Sequence, residues 1–122
     1  MKLTECYANL DGDFAGVRSR LIREASISKF LIMFLKDTQY QEFHASVEAG
    51  DWENAFRNIH TLKGTCLNLG ISKLARISSD ITEMLRGGAP SSDISGNIEE
   101  LDKEYEKTVE IIRNYSENPE TE

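Results

Sequence analysis

His60, Lys63 and Gly64 are the residues of this chain whose types and spacing suit a chemical task. An exposed imidazole has a pKa ordinarily near ~6.5, so at pH 7 it is mostly neutral and one ring nitrogen keeps a lone pair that can attack phosphorus. Lys63 stands at i+3, where its ammonium can meet an anion carried by the imidazole. Gly64 stands at i+4 and has no Cβ to crowd the ring. In a helix interior glycine costs about 0.5–1 kcal/mol relative to alanine, so helix stability does not account for it. Together the three read as a phosphoryl-accepting site. Taken singly, each has a plainer reading as a solvated helix residue with no task, and it is the spacing that favours chemistry.

The site needs a helix beneath it. Ala55, Ile59, Leu62, Cys66 and Leu69 step by four and three and form one apolar stripe that must face a core. At about 100° per residue His60 lies well away from that stripe, and Phe56, Arg57, Lys63, Gly64 and Leu67 share its side. Asp51 is placed to cap this helix and Gly70 to end it. Before it, Leu3, Cys6, Tyr7 and Leu10 predict a short first helix with Thr4 as cap and Gly12 as stop. Phe14, Val17 and Leu21 predict a brief helical turn. Ser26 to Lys36 carries Ile27, Phe30, Leu31, Phe34 and Leu35, a broad face expected to be among the most buried. Thr38 and Gln41 form a capping-box pattern before the Tyr40, Phe43 and Val47 stripe, which Gly50 closes.

After the histidine helix, Leu74, Ile77, Ile81 and Met84 or Leu85 predict an amphipathic helix capped by Ser72 and stopped by Gly87, Gly88 and Pro90. Ile94, Ile98, Leu101, Tyr105, Thr108, Ile112 and Tyr115 predict a long last helix of bundle type. No alternating strand pattern appears. The reading is all-α: an up-and-down four-helix bundle with additional short N-terminal helices, one domain over residues 1–115, and an acidic tail, 116–122, that frays.

Composition narrows the function. The chain has 122 residues, 39% of them hydrophobic, enough for one core and too few for two. A net charge of −7 argues against nucleic-acid and anionic-membrane partners, which need a basic face. Charge is uneven, however: residues 51–76 carry +2 and residues 99–122 carry −6. The less acidic histidine helix suits a partner site rich in carboxylates. Cys6 and Cys66 both fall on apolar stripes and read as free buried thiols of a reducing compartment. No apolar run approaches the ~20 residues of a membrane span.

His60-Thr61-Leu62-Lys63-Gly64, then Asn68-Leu69-Gly70 and the apolar helix Leu74 to Leu85, resemble the histidine-containing phosphotransfer (HPt) domain of multistep phosphorelays, over about Leu3 to Tyr115. The resemblance implies a cytoplasmic carrier in which His60 takes a phosphoryl group from a receiver-domain aspartate and passes it to another. It implies that Mg²⁺ and most catalytic groups belong to the receivers, so the chain needs no cofactor or metal of its own and is not a kinase. Receiver domains are then the partners, with a hybrid sensor histidine kinase as a further candidate, and the all-polar outer face of the last helix favours a monomer. On this view Phe56, Leu67 and Gly64 form a docking patch that Arg57 and Lys63 help to steer, while partial burial against a neighbouring helix is the alternative for Phe56 and Leu67. Where many members of the family place Gln or Glu on the following helix, the count gives Thr82, so only its hydroxyl is available to orient His60. The rival function is a helical adaptor that docks receivers and carries no phosphoryl group.

Other candidates fall away. His44 reads as a partly covered surface residue, and a metal site from His44, His60 and Cys66 fails because His60 and Cys66 point about 120° apart on one helix. Trp52 reads as a packing anchor, and the carboxylates between Glu99 and Glu106 read as a solvated face.

Overall fold

The computed structural model describes residues 1–120, which fold into α1 (Leu3–Asn9), α2 (Phe14–Leu21), α3 (Glu24–Met33), a 3-10 turn (Phe34–Lys36), α4 (Gln39–Glu48), α5 (Trp52–Asn68), α6 (Ser72–Met84) and α7 (Ser95–Glu117). The protein is all-α; the one β feature among the described residues is an isolated bridge between Lys2 and Glu120.

α5 to α7 form because their apolar residues repeat at helical spacing, and the stripes meet in one core. Ala55, Ile59, Leu62 and Cys66 of α5, Leu74, Ile77 and Ile81 of α6, and Leu101 and Ile112 of α7 are all buried. α5 packs between α4 and α6, and α6 packs on α7. α7 closes the ring on α4, where Tyr40 stacks on Tyr105 at 3.7 Å and Asp102 accepts from the Tyr40 hydroxyl at 2.6 Å. The pairs Tyr40 with Tyr105 and His44 with Asp102 make α4 and α7 antiparallel. α1 and α3 lean against α7 and extend the core to Leu3, Cys6, Ile27 and Leu31.

Glycines close the approach to α5 and the exit from it. At Gly50 (φ 69°) the Asp51 N–H donates to Ser46 and the Gly50 N–H to Val47; at Gly70 (φ 69°) Ile71 donates to Cys66 and Gly70 to Leu67. Both are Schellman closures, in which a left-handed residue lets two N–H groups return to the last turn.

Several expectations are corrected in detail. The α1 cap falls on Lys2 rather than Thr4. The region read as one buried helix from Ser26 to Lys36 is α3 plus a tightened 3-10 turn. Only Ile27, Leu31 and Phe34 are buried, because the bundle covers one side and leaves Phe30 and Met33 exposed. Thr38 occupies the α4 cap position, but Asp37 provides the cap bond, accepting from the Gln39 N–H at 2.8 Å, while the Thr38 hydroxyl donates to Glu42. Ile71, not Ser72, is the α6 cap. The tail read as frayed beyond Tyr115 stays helical to Glu117, and the Glu120 N–H donates to the Met1 carbonyl at 3.0 Å; residues 121 and 122 lie outside the described residues. Backbone pairing with the chain start, which carries no apolar signal, holds that segment.

Cys6 and Cys66 are free and buried. Burial pushes the Cys6 thiol up to about 12 and that of Cys66 higher still. Both thiols are therefore expected to resist a thiol-specific reagent at pH 8 in the native protein and to react fully in denaturant. The unfolded thiols titrate near 9.0, so the stability tied to them is complete below that pH and falls as pH rises toward about 12, where Cys6 titrates in the folded chain. Burial raises Tyr7, Tyr40 and Tyr105 too, so the thiol share is the part of the fall in unfolding free energy between pH 8 and 11 that disappears in Cys6→Ala and Cys66→Ala.

Candidate functional site

The ends of α5 are fixed by its own sequence and by the N-terminal segment. At its start Asp51 accepts from the Asn54 N–H. At its end the carbonyls of Leu67 and Asn68 accept from the Arg20 guanidinium at 2.9 and 3.1 Å, Leu69 accepts from the buried Tyr7 hydroxyl at 2.6 Å, and Gly70 accepts from the Asp13 N–H at 2.8 Å. Four carbonyls at or just past the helix terminus are thus met from α1, α2 and the turn between them, that of Leu67 in addition to its bond from the Gly70 N–H. The histidine helix is clamped at that end.

With its stripe turned inward, α5 presents His60 to solvent. Phe56, one turn earlier, is half-buried and sets its ring 5.7 Å from the imidazole at 34°. Gly64, one turn later, has open space where a Cβ would stand, so nothing in the fold requires glycine there. Lys63 is half-buried and holds no salt bridge among the described residues. It borders a cleft of about 490 Å³ shared with Leu67, Arg20, Arg76, Ser79 and Asp80. Leu67 is 53% exposed. Arg57 is also exposed, with its guanidinium drawn back to Glu53 at 2.7 Å. His60, Phe56, Lys63, Gly64 and Leu67 therefore share one face, whereas Arg57 lies at its edge on an exposed ion pair that restrains it weakly.

The structure answers the question left at Thr82. Its side chain is fully buried and its hydroxyl donates to the Ser78 carbonyl of its own helix at 2.7 Å, so it is not directed at His60. The groups on the His60 side are Glu83 of α6 and Arg86 just past its end, which sequence reasoning missed. Arg86 donates to the Glu83 carboxylate at 2.9 Å and lies over the Phe56 ring, 5.3 Å from its centre. The Arg86 hydrogen bond, helped by the charges of Arg86, Lys63 and His60, holds the Glu83 carboxyl below its ordinary value. An acidic and a basic residue three apart at the end of the α6 stripe were visible in the sequence. Their approach to Phe56 depends on the antiparallel pairing of α5 and α6, which was not.

His44, in contrast, is engaged: its Nε2 lies 2.5 Å from Asp102 and its ring packs edge-on against Tyr40. No group of three or more metal-binding side chains forms among the described residues, and no helix is long and apolar enough to cross a membrane.

The family model described as Hpt domain matches residues 30–111. No curated protein and no solved structure matches the chain.

Proposed function

This chain belongs to the Hpt domain family, whose members serve histidine phosphotransfer in phosphorelays, and on that premise we propose that His60 is its phosphoryl-accepting residue. The donor and the next acceptor are aspartates of receiver domains, which bring the Mg²⁺, and the setting is the cytoplasm. A lone pair on the exposed imidazole nitrogen forms the N–P bond while the P–O bond to the receiver aspartate breaks and that carboxylate leaves with the electron pair. The return step to a second aspartate reverses this. The observation that carries the reading is the open face around His60: a wet imidazole, a lysine at i+3 without a salt bridge among the described residues, and a glycine at i+4 that the fold does not require. Phe56 and Leu67 supply the apolar ground on which a receiver lands, and the chain acts as a carrier without kinase activity of its own.

The test is intact-mass spectrometry after incubation with phosphorylated receiver domains and Mg²⁺, beside His60→Gln. One phosphoryl mass that is lost in acid, survives alkali and is absent from the control supports the carrier. Receiver binding without any such mass, surviving His60→Ala, supports the docking adaptor instead.

The neighbours of His60 have separable effects. Lys63→Ala is expected to slow uptake about tenfold, because a charge-assisted contact of about 1.4 kcal/mol to the phosphoryl oxygens is lost. Gly64→Ala is expected to stabilise the fold by about 0.5–1 kcal/mol, since its Cβ enters open space. Gly64→Lys, which fills that space, is expected to slow uptake about tenfold although it too gains helix propensity and melts no lower than the parent. Uptake rates and thermal melts of the three variants check this.

A further inference from the structure

We propose that Glu83, biased toward His60 by Arg86, is an electrostatic brake on phosphoryl occupancy of that histidine. The inference rests on the carrier reading of His60 and adds a determinant of how tightly the group is held.

The geometry forms a short chain from α6 to the imidazole. The Arg86 guanidinium reaches the Glu83 carboxylate at 2.8 Å and at the same time covers the face of Phe56, 5.3 Å from its centre. The Phe56 ring in turn stands 5.7 Å from His60. Arg86, just past the end of α6, thus has two partners, the Glu83 carboxylate and the Phe56 ring on the site helix, and the exposed ion pair biases the carboxylate toward the His60 side without locking it there. Glu83 also lies close enough to Lys63 and His60 to feel both charges. Thr82, the preceding residue, is turned into the core. Asp80, one turn before Glu83, borders the cleft beside Lys63 instead, and Glu83 with Arg86 is the charged pair that reaches the Phe56 side of the imidazole.

A phosphoryl group brings about −1.5 to −2 charge at neutral pH. In the unmodified protein Glu83 faces cations and is favourable. Once His60 is phosphorylated, the same carboxylate is a like charge and disfavours the adduct, while Arg86 offsets part of the repulsion. A relay carrier must release what it accepts, and a neighbouring carboxylate gives the phosphoryl group a reason to leave. Lys63 and Glu83 then act in opposite senses on one anion.

The test uses phosphoramidate as an anionic small-molecule donor, so that no partner need be identified. The His60 nitrogen forms the N–P bond, the P–N bond of phosphoramidate breaks, and ammonia departs with the proton given up by the imidazole. The labelling rate at His60, and the half-life of the label once donor is removed, are read by intact mass for the parent, Glu83→Gln, Glu83→Asp, Arg86→Gln and the double variant; a brake requires slower loss as well as faster uptake in Glu83→Gln. At low salt each unit charge removed is expected to change the rate about threefold. Glu83→Gln is faster, Arg86→Gln slower, Glu83→Asp near the parent, and the Glu83→Gln/Arg86→Gln pair returns to the parental rate because the local net charge is restored. At about 1 M salt, where screening acts over about 3 Å, the differences collapse. A purely structural role for the pair at the end of α6 would shift melting temperature and would give neither opposite signs nor salt dependence. Parental labelling by Glu83→Gln at low salt, or a gain that persists at high salt, overturns the brake while leaving the carrier intact. Absence of label on His60 in the parent overturns the carrier reading and the brake with it.

Discussion

Replacing His60 with glutamine is expected to abolish phosphoryl uptake, by on the order of 10³-fold or more, while leaving the melting temperature within about 2 °C of the parent. The loss is large because the reaction needs a lone pair on a neutral nitrogen, and a glutamine amide has no comparable nucleophile. The fold is indifferent because the His60 ring is exposed and its one ring contact is Phe56 at 5.7 Å. Glutamine also favours helix slightly more than histidine does. The chain's second histidine does not substitute. His44 Nε2 is bound to Asp102, and the ring packs edge-on against Tyr40 and Phe43, so its nitrogen is committed to tying α4 to α7. His44→Gln is accordingly expected to retain uptake and to lose stability, the reverse pattern to His60→Gln. Intact mass and thermal melts of the two variants decide the matter; label persisting on His60→Gln would place the acceptor elsewhere.

The contrast between the two histidines shows what a sequence can carry. His60 was legible because exposure on a helix is an angle, and five apolar residues fix that angle: once Ala55, Ile59, Leu62, Cys66 and Leu69 point inward, His60 cannot. The bounds of α5 were legible for an equally local reason, an aspartate to accept the first N–H groups and a glycine able to take φ near 69° at the far end. α7 followed from its strict stripe. Where the expectations failed, the deciding contact was remote in sequence. Phe30 and Met33 belong to an apolar face as continuous as any in the chain, yet they stay exposed because no element covers that side of α3. The capping box at Thr38 was a valid local pattern that Asp37, one residue earlier, outcompeted.

At the site the same limit applies. The count that gives Thr82 at this position left only a hydroxyl to orient the imidazole, and the structure turns that hydroxyl away. Threonine is short, and its hydroxyl bonds back to Ser78 as β-branched hydroxyl residues in helices commonly do. The groups that do flank Phe56 and His60 arise from a pairing across two helices, and single-chain periodicity contains no such information. Nor did it show that Arg20, Tyr7 and the Asp13 backbone would close the end of the histidine helix, because capping at a distance leaves no periodic trace.

That clamp makes Gly70→Ala the substitution expected to damage the fold most for the smallest change in volume. Gly70 holds φ 69°, where an alanine costs about 1 kcal/mol, and this part of the loss is common to any Schellman corner. The rest is particular to the site: an added Cβ would stand 2.7 Å from the Asp13 carbonyl oxygen and 3.4 Å from the Tyr7 ring. Backbone on one side and a buried aromatic on the other leave it no cheap escape, so the α1–α2 connection must move. Movement there strains the Asp13 to Gly70 bond and the Tyr7 to Leu69 bond together. A total loss of about 3 kcal/mol is expected, lowering the melting temperature by about 12 °C. Gly50→Ala separates the two costs, because Gly50 has the same φ of 69° but nothing within 4 Å of a Cβ. It should lose only the conformational part, about 1 kcal/mol. Equal losses at the two glycines would show that the N-terminal segment does not hold the end of α5. A threefold larger loss at Gly70 would show that it does, and that the helix bearing His60 owes its fixed end to residues lying before the family-matched region.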